Sequence, residues 1–209
     1  MNILVFGASG PLGRQIVEAA LAAGHQVTGF VRNPGRLTAR PGLREAPGDV
    51  LDPVAVAAAV PGHDAVISAL GHSRPSPRGA DLHPGVSHLI EAMRAAGVSR
   101  LILITSHGVG DSRGRSGFVF ERIIVPWRLR AEFADKERQE ALVSASDLDW
   151  TIVRPARLTN GPARGRPRAR PRLPVTIRDS ISRADVARFV LGELGDGTYL
   201  LSAPTIAAP

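Results

Sequence analysis

Cysteine is absent from the chain, lysine occurs once (Lys136), tyrosine once (Tyr199), and aromatic residues make up only 4% of 209 residues. Without cysteine there is no disulfide framework and no thiolate metal site. No apolar run approaches the roughly 20 residues that a membrane-crossing helix needs, because each hydrophobic stretch is soon interrupted by Gly, Arg or His. The first residues enter an apolar strand directly, without the basic lead and long apolar core of an export signal, so a cytoplasmic protein with no membrane partner is expected. A hydrophobic fraction of 44% supplies one α/β core over residues 1–209 and leaves little for a second. The formal charge of +7 is almost entirely arginine. In a chain this rich in Ala, Gly and Pro such usage reads as codon bias. Basic charge attracts an anionic cofactor as readily as a nucleic acid, so no nucleic-acid partner is expected.

What is present is an alternation of apolar strands and amphipathic helices. Residues 2–6 read as a strand, followed by a glycine turn and by Ile16, Val17, Ala20 and Leu21 at helical spacing, with Gly24 as the stop. A second strand spans 26–31, a weaker third spans 42–48, and a helix over 53–60 leads to a fourth, buried strand over 64–71. A helix over 80–96 and a fifth strand over 100–104 deliver Thr105, Ser106 and His107 to a strand edge. Beyond it, 118–145 reads as a helix broken at Pro126, and 150–154 as a sixth strand stopped by Pro155. Ser182, with Asp185 three residues on, opens a helix through Val190, and 198–201 suggests a last strand. The stretch GPARGRPRARPRLP at 161–174 has no apolar periodicity and is expected to be mobile, or ordered only by a ligand: a lid over substrate or a solvated insertion.

The turn Gly7-Ala8-Ser9-Gly10-Pro11-Leu12-Gly13-Arg14 lies between a predicted strand and a predicted helix, which is the setting a dinucleotide fingerprint needs. The first glycine allows the tight turn, the second lets backbone approach a pyrophosphate, and the third lets helix and strand pack closely. The helix N-terminus then offers free N–H groups. A P-loop is excluded, because Arg14-Gln15 stands where Lys-Ser/Thr would be. With the strand–helix alternation this predicts a single-domain, Rossmann-like α/β fold, a doubly wound parallel sheet flanked by helices. The second strand ends at Arg32-Asn33 with no acidic residue to take ribose hydroxyls and repel a 2′-phosphate, which favours NADP over NAD. Arg14 and Arg36 either join Arg32 on that phosphate or are solvated.

The segments VFGASGPLGRQIV, VRNP, GDVLDP, DAVISALG, LITS, DLDWTIVRPARLTNG and ISRADVA resemble, in order, the extended and atypical short-chain dehydrogenases. Within these they are most similar to the NAD(P)H-binding, NmrA-like family that includes biliverdin reductase B, also called flavin reductase. The resemblance runs over nearly the whole chain and implies NADPH-dependent reduction, with a monomer as the default. It implies that Asp49 and Val50 flank the adenine, although Asp49 reads equally as a helix cap. It places Lys136 in the region of a lysine that hydrogen-bonds the nicotinamide ribose, although Lys136 also reads as an exposed partner of Glu132 or Glu140. It places Ser106 near the reacting centre, with a turn hydroxyl as the alternative. Arg157 stands where those relatives carry a histidine, and there it would grip an acidic or phosphorylated substrate such as FMN.

Ligands in an open parallel sheet lie at the carboxyl ends of the strands, so Ala69, Leu70 and Gly71 should line the nicotinamide side with Thr105, Ser106 and His107. His72 is a further substrate-side candidate. The Tyr-x-x-x-Lys pair with which short-chain dehydrogenases protonate an alkoxide is missing, since Tyr199 lies near the C-terminus. A flavin or quinone suits such a site, because a conjugated acceptor delocalises the charge that arrives with hydride. His107 is a substitute proton donor or a structural residue. His83 and His88 share no helix face well, and no metal is expected. The readings left open are a reductase of a small conjugated acceptor, a non-catalytic NADP-binding redox sensor, and a biosynthetic ketoreductase.

Overall fold

A computed structural model describes residues 1–71, 81–112, 130–176 and 178–209. His72 and residues 118–129 of the expected broken helix lie outside the described residues. The chain runs β1 (Asn2–Phe6), α1 (Pro11–Ala22), β2 (Gln26–Val31), β3 (Leu43–Pro47), α2 (Pro53–Ala59), β4 (Ala65–Ser68), α3 (His83–Ala96) and β5 (Arg100–Ile104). It continues through α4 (Arg130–Ser144), β6 (Asp149–Pro155), β7 (Arg157–Thr159), β8 (Arg168–Arg170), β9 (Ser180–Ser182), α5 (Arg183–Asp196) and β10 (Thr205–Ala207).

The main sheet has the order β3-β2-β1-β4-β5-β6-β10-β8, parallel except for β8, and is the expected Rossmann-like doubly wound sheet. Strands alternate their burial between two helix layers. Ile3 and Val5 of β1 face a cluster with Ile16 and Val17 of α1 and Val186 and Val190 of α5. Leu4 and Phe6 face Val56 of α2 and Leu89 and Met93 of α3. Burial on both faces is why these strands read as continuous apolar runs. The strand order reverses between β1 and β4, and that switch point opens a crevice at their carboxyl ends. Among the described residues, no helix is long and apolar enough to cross a membrane.

Gly7 and Gly13 set the distance between strand and helix at this crevice. Gly7 has φ +73°, and a Cβ there would lie 2.6 Å from the Ala69 carbonyl oxygen. A Cβ at position 13 would lie 2.1 Å from the Gly7 oxygen.

One expectation is corrected at the C-terminal edge of the sheet. Residues 198–201 form a turn, not a strand. Leu201 has φ +52°, and the last strand is instead Thr205–Ala207, whose buried Ile206 and Ala207 seat against β6. A three-residue apolar run after Pro204 has no period to detect, whereas Tyr199 and two leucines imitate a strand. Within 161–174 the chain makes contacts of its own. Arg168–Arg170 pairs antiparallel with β10, Leu173 is buried, and the amides of Arg164 and Gly165 donate to the Asp185 carboxylate at 2.9 and 3.3 Å. Asp185 itself sits behind the Ser182 cap of α5, as the capping pattern implied, and that helix runs on past Val190 to Asp196.

Substituting Gly13→Ala forces the α1 start off β1 and is expected to lower stability by about 1–3 kcal/mol. Gly192→Ala, at an α5 position with open space for a Cβ, is expected to raise stability by about 0.4–1 kcal/mol. Urea unfolding midpoints of the two variants check the contrast, and equal shifts would refute the close-approach argument.

Candidate functional site

Four helix starts have their preceding residues described, and three of them have a side-chain acceptor for their free amides. Asp52 accepts from Val54 N at α2, Ser182 accepts from Asp185 N at α5, and Asp135 of α4 accepts from Leu82 N and His83 N at α3, each of these last two at 3.0 Å. The start of α1 has none: Gly10 caps it without a side chain, Pro11 follows, and no acid lies in the first turn. Bare amides beside a glycine turn at the crevice fit the pyrophosphate of a dinucleotide. Gly7, Ser9, Gly10, Pro11, Leu12 and Gly13 are brought together here, with Gly10 N donating to the Gly7 carbonyl at 3.0 Å.

Arg14 is committed to backbone. Its Nε donates to the Ser9 carbonyl at 3.0 Å and its Nη2 to the Arg36 carbonyl at 2.7 Å, joining the glycine turn to the segment after β2. Arg32, Asn33 and Arg36 are exposed at the end of β2, beside the α1 start. Sequence reasoning missed Glu45 of β3, whose carboxylate accepts from Gly35 N at 2.7 Å and Leu37 N at 2.8 Å. Those amide bonds, Gly35 first, hold the Glu45 carboxyl below its ordinary range.

Asp49 accepts from Leu51 N at 3.0 Å, and the α2 cap is Asp52, so the cap reading of Asp49 does not hold. Val50 is buried against Gly85, where a Cβ would meet its side chain at 2.6 Å. Ala69 and Leu70 are half-buried and Gly71 is exposed at the end of β4, with Ala69 N donating to the Phe6 carbonyl at 3.0 Å.

Across the crevice, the amides of Thr105 and His107 donate to the carbonyls of Val153 and Pro155, so the β5 edge stays registered on β6. Ser106 between them is half-buried, and Lys136 Nζ donates to its Oγ at 3.4 Å. The Lys136 side chain is 13% exposed and forms a 2.9 Å ion pair with Glu132, one helical turn earlier. His107 is 8% exposed, with Nδ1 3.5 Å from Thr205 Oγ1, so its ring is turned toward β10. Arg157 is exposed at the start of β7.

Beneath this edge lies a buried ionic group that the sequence did not reveal. Glu140 accepts from Thr105 Oγ1 at 2.6 Å and takes the Arg154 guanidinium in a fork, from Nε at 3.0 Å and Nη2 at 2.6 Å. Arg154 Nη1 also reaches Asp111. Burial alone would pull the Arg154 guanidinium down, but hydrogen bonds and charge from Glu140 and then Asp111 outweigh it and hold it above its ordinary value. Gly110 has to be glycine here, since a Cβ would lie 2.5 Å from the guanidinium and 2.6 Å from Glu140. Glu140 is thus bound to Arg154, and Lys136 pairs with Glu132 alone of its two expected partners. The thread of buried polar residues along α4, namely Asp135, Gln139 and Glu140, was the available signal.

Asp81, His83 and Asp135 place donor atoms within 4.8 Å of one another. Their groups are already committed: Asp135 caps α3, accepts from His83 Nδ1 at 2.9 Å and from Gln139 at 2.7 Å, and Asp81 meets Arg138. Two hollows lie away from the crevice, one of about 550 Å³ between α5 and β8 and one of about 500 Å³ between α3 and α4.

Glu140→Gln leaves the Arg154 charge buried with its fork broken and is expected to cost about 3–5 kcal/mol of stability. Asp111→Asn, at a side chain 58% exposed, should cost less than about 1 kcal/mol. Denaturant unfolding of both variants measures the difference, and a mild Glu140 variant would mean that the pair is not structural.

Residues 7–196 match the family described as NAD(P)H-binding. Among solved structures, ChuY from Escherichia coli O157:H7, described as an anaerobillin reductase, superposes with a TM-score of 0.86 at 28% identity, covering 100% of this chain and 98% of that one. A wide-type short-chain dehydrogenase/reductase from Veillonella parvula in complex with NADP shares the fold, with a TM-score of 0.81 at 16% identity over 100% of this chain and 94% of that one. A curated relative, YhfK of Bacillus subtilis, called an uncharacterized sugar epimerase, is 27% identical over 206 residues, 94% of this chain and 89% of its own. The uncapped glycine-turn helix at the switch point and the match over residues 7–196 agree, and the chain belongs to the NAD(P)H-binding family.

Proposed function

We propose that the protein is an NADPH-dependent oxidoreductase that reduces a flavin, quinone or similarly conjugated small molecule. The observation that carries this reading is the hydrogen-bonded row Glu132–Lys136–Ser106 at the edge of β5. When bound, the reduced nicotinamide supplies a hydride, that is one proton with two electrons, and one further proton comes from solvent. Because the Ser106 hydroxyl accepts from Lys136 Nζ, its own proton is directed away from the lysine and toward an acceptor in the crevice. Glu132 fixes the ammonium that orients it. A serine hydroxyl is a weak acid and does not protonate an isolated alkoxide as a tyrosine would. For an acceptor whose ring spreads the incoming charge the hydroxyl need only hydrogen-bond the reduced product, and solvent supplies the second proton.

Tyr199 does not supply the missing donor, because its hydroxyl donates to the Ala169 carbonyl on β8 at 2.7 Å. The absence of an acid after β2 and the exposed Arg32 support a 2′-phosphorylated cofactor. Arg157, also exposed and cationic, suits the acidic or phosphate group of a substrate. The description of ChuY as a reductase supports the reaction class. The proposed working unit is a monomer acting on a small molecule.

NADPH oxidation followed by absorbance with FMN, riboflavin and a simple quinone tests the proposal. Ser106→Ala is expected to lower kcat by about 10²-fold, the typical cost of losing a positioned group, while the NADPH Kd measured by calorimetry stays within about 2-fold. Tight NADPH binding with no turnover of any acceptor would replace the reductase with a non-catalytic binding protein, and absence of NADPH binding would remove the cofactor assignment itself.

A further inference from the structure

The segment after β2, Arg32-Asn33-Pro34-Gly35-Arg36-Leu37, has the composition of a loose turn, and Gly35 at φ +77° has nothing near a Cβ to restrain it. It is nevertheless held at three successive residues by three different elements. Both oxygens of the Glu45 carboxylate are used, one for Gly35 N and one for Leu37 N. The carbonyl of Arg36, between them, accepts from the Arg14 guanidinium of α1. Leu37 is buried against Gly29, where a Cβ would lie 2.4 Å from Leu37 Cδ1. Glu45 stands directly opposite Gly29 in the β2–β3 pairing, so the acid and the apolar anchor grip the turn from neighbouring register positions.

The consequence is electrostatic as well as geometric. The turn presents the exposed side chains of Arg32 and Arg36, and neither makes an ion pair with a described carboxylate. The nearby acid lies with its charge taken up by the amides of Gly35 and Leu37. A carboxylate free to rotate outward would repel a phosphate, whereas one locked onto two amides both fixes the turn and masks its own charge.

We infer that Glu45 is a specificity-determining positioning residue: by gripping the 35–37 turn it holds Arg32 and Arg36 as a ready-made receiver for the 2′-phosphate, and so sets the preference for NADPH over NADH. The inference rests on the nicotinamide-dinucleotide reading above. Glu45 does not touch the cofactor and acts through the turn.

The test compares NADPH and NADH affinities by calorimetry for the wild type, Glu45→Ala and Glu45→Gln, with hydrogen exchange at the amides of Gly35 and Leu37 in protein free of cofactor. Glu45→Ala should weaken NADPH by about 10-fold and NADH by less than about 2-fold, the signature of lost pre-organisation at one phosphate. Both amides should exchange faster while those in β1 and α1 do not. Glu45→Gln, with a single carbonyl oxygen for two amides, should fall between. An equal loss for both dinucleotides, or an unchanged NADPH preference with both amides released, overturns the inference alone. A wild-type chain that binds neither dinucleotide overturns the reading beneath it.

Discussion

The carbonyl of Gly7 and the backbone of Gly13 approach so closely that a methyl group at position 13 would lie 2.1 Å from the oxygen, and the rest of the molecule is arranged around that contact. It draws the first turn of α1 over the end of β1, where the strand order of the sheet reverses. It also turns bare amides toward the crevice. Among the helix starts whose preceding residues are described, those of α2, α5 and α3 spend their first amides on Asp52, Ser182 and Asp135, and only that of α1 is left free. Arg14 then passes that fixed geometry on, since one guanidinium bonds the carbonyl of Ser9 in the glycine turn and that of Arg36 beyond β2.

The two sides of the crevice are built by different means. On the α1 side, backbone does the work, and side chains such as Arg14 and Glu45 serve to hold backbone. On the β5 side, the placement depends on side chains from α4, a helix with almost no apolar face. Asp135, itself held by Gln139, fastens it to the start of α3, and Glu140 fastens it to Thr105 and Arg154. Buried charge in this quantity is not a source of stability by itself, because desolvation offsets most of the attraction. Its effect is positional: with Glu140 fixed, Lys136, one turn earlier on the same helix, is carried to Ser106.

This difference explains what was legible in the sequence. Strands and helices with apolar period, such as 2–6 with Ile16 and Val17, were readable because burial on both faces of a parallel sheet leaves a local pattern. The glycine turn was readable because its constraint is steric and local. Ser182 and Asp185 announced α5 by spacing alone. Thr205–Ala207 was not readable, since three residues have no period, and its place is decided by the free edge of β6. The contacts within 161–174 were hidden for a related reason: Asp185, some twenty residues further on, supplies the acceptor that Arg164 and Gly165 meet. Glu45 and Glu140 escaped because a carboxylate is recognised as a brace only when the amides or guanidinium it holds are known to lie beside it.

Arginine and lysine have different work in this chain, and the difference bears on the proposed chemistry. Arg14, Arg100 and Arg154 are spent on carbonyls and carboxylates of neighbouring segments. Arg100 alone reaches the Asp149 carbonyl, Thr151 Oγ1 and the Glu193 carbonyl across β6 and α5. Burial pulls the Arg100 guanidinium below its ordinary value, against Glu193 and Asp149, yet it remains a cation. A planar fork with several donors suits such cross-element ties. A guanidinium is a poor choice where one hydroxyl has to be oriented, because its donors are fixed in a planar fork. An ammonium on a flexible stem is a compact charge whose three donors turn to meet single acceptors. The single lysine of the chain stands beside Ser106, where the proposed reduction needs a hydroxyl proton to be aimed, and the arginines stand where geometry has to be held.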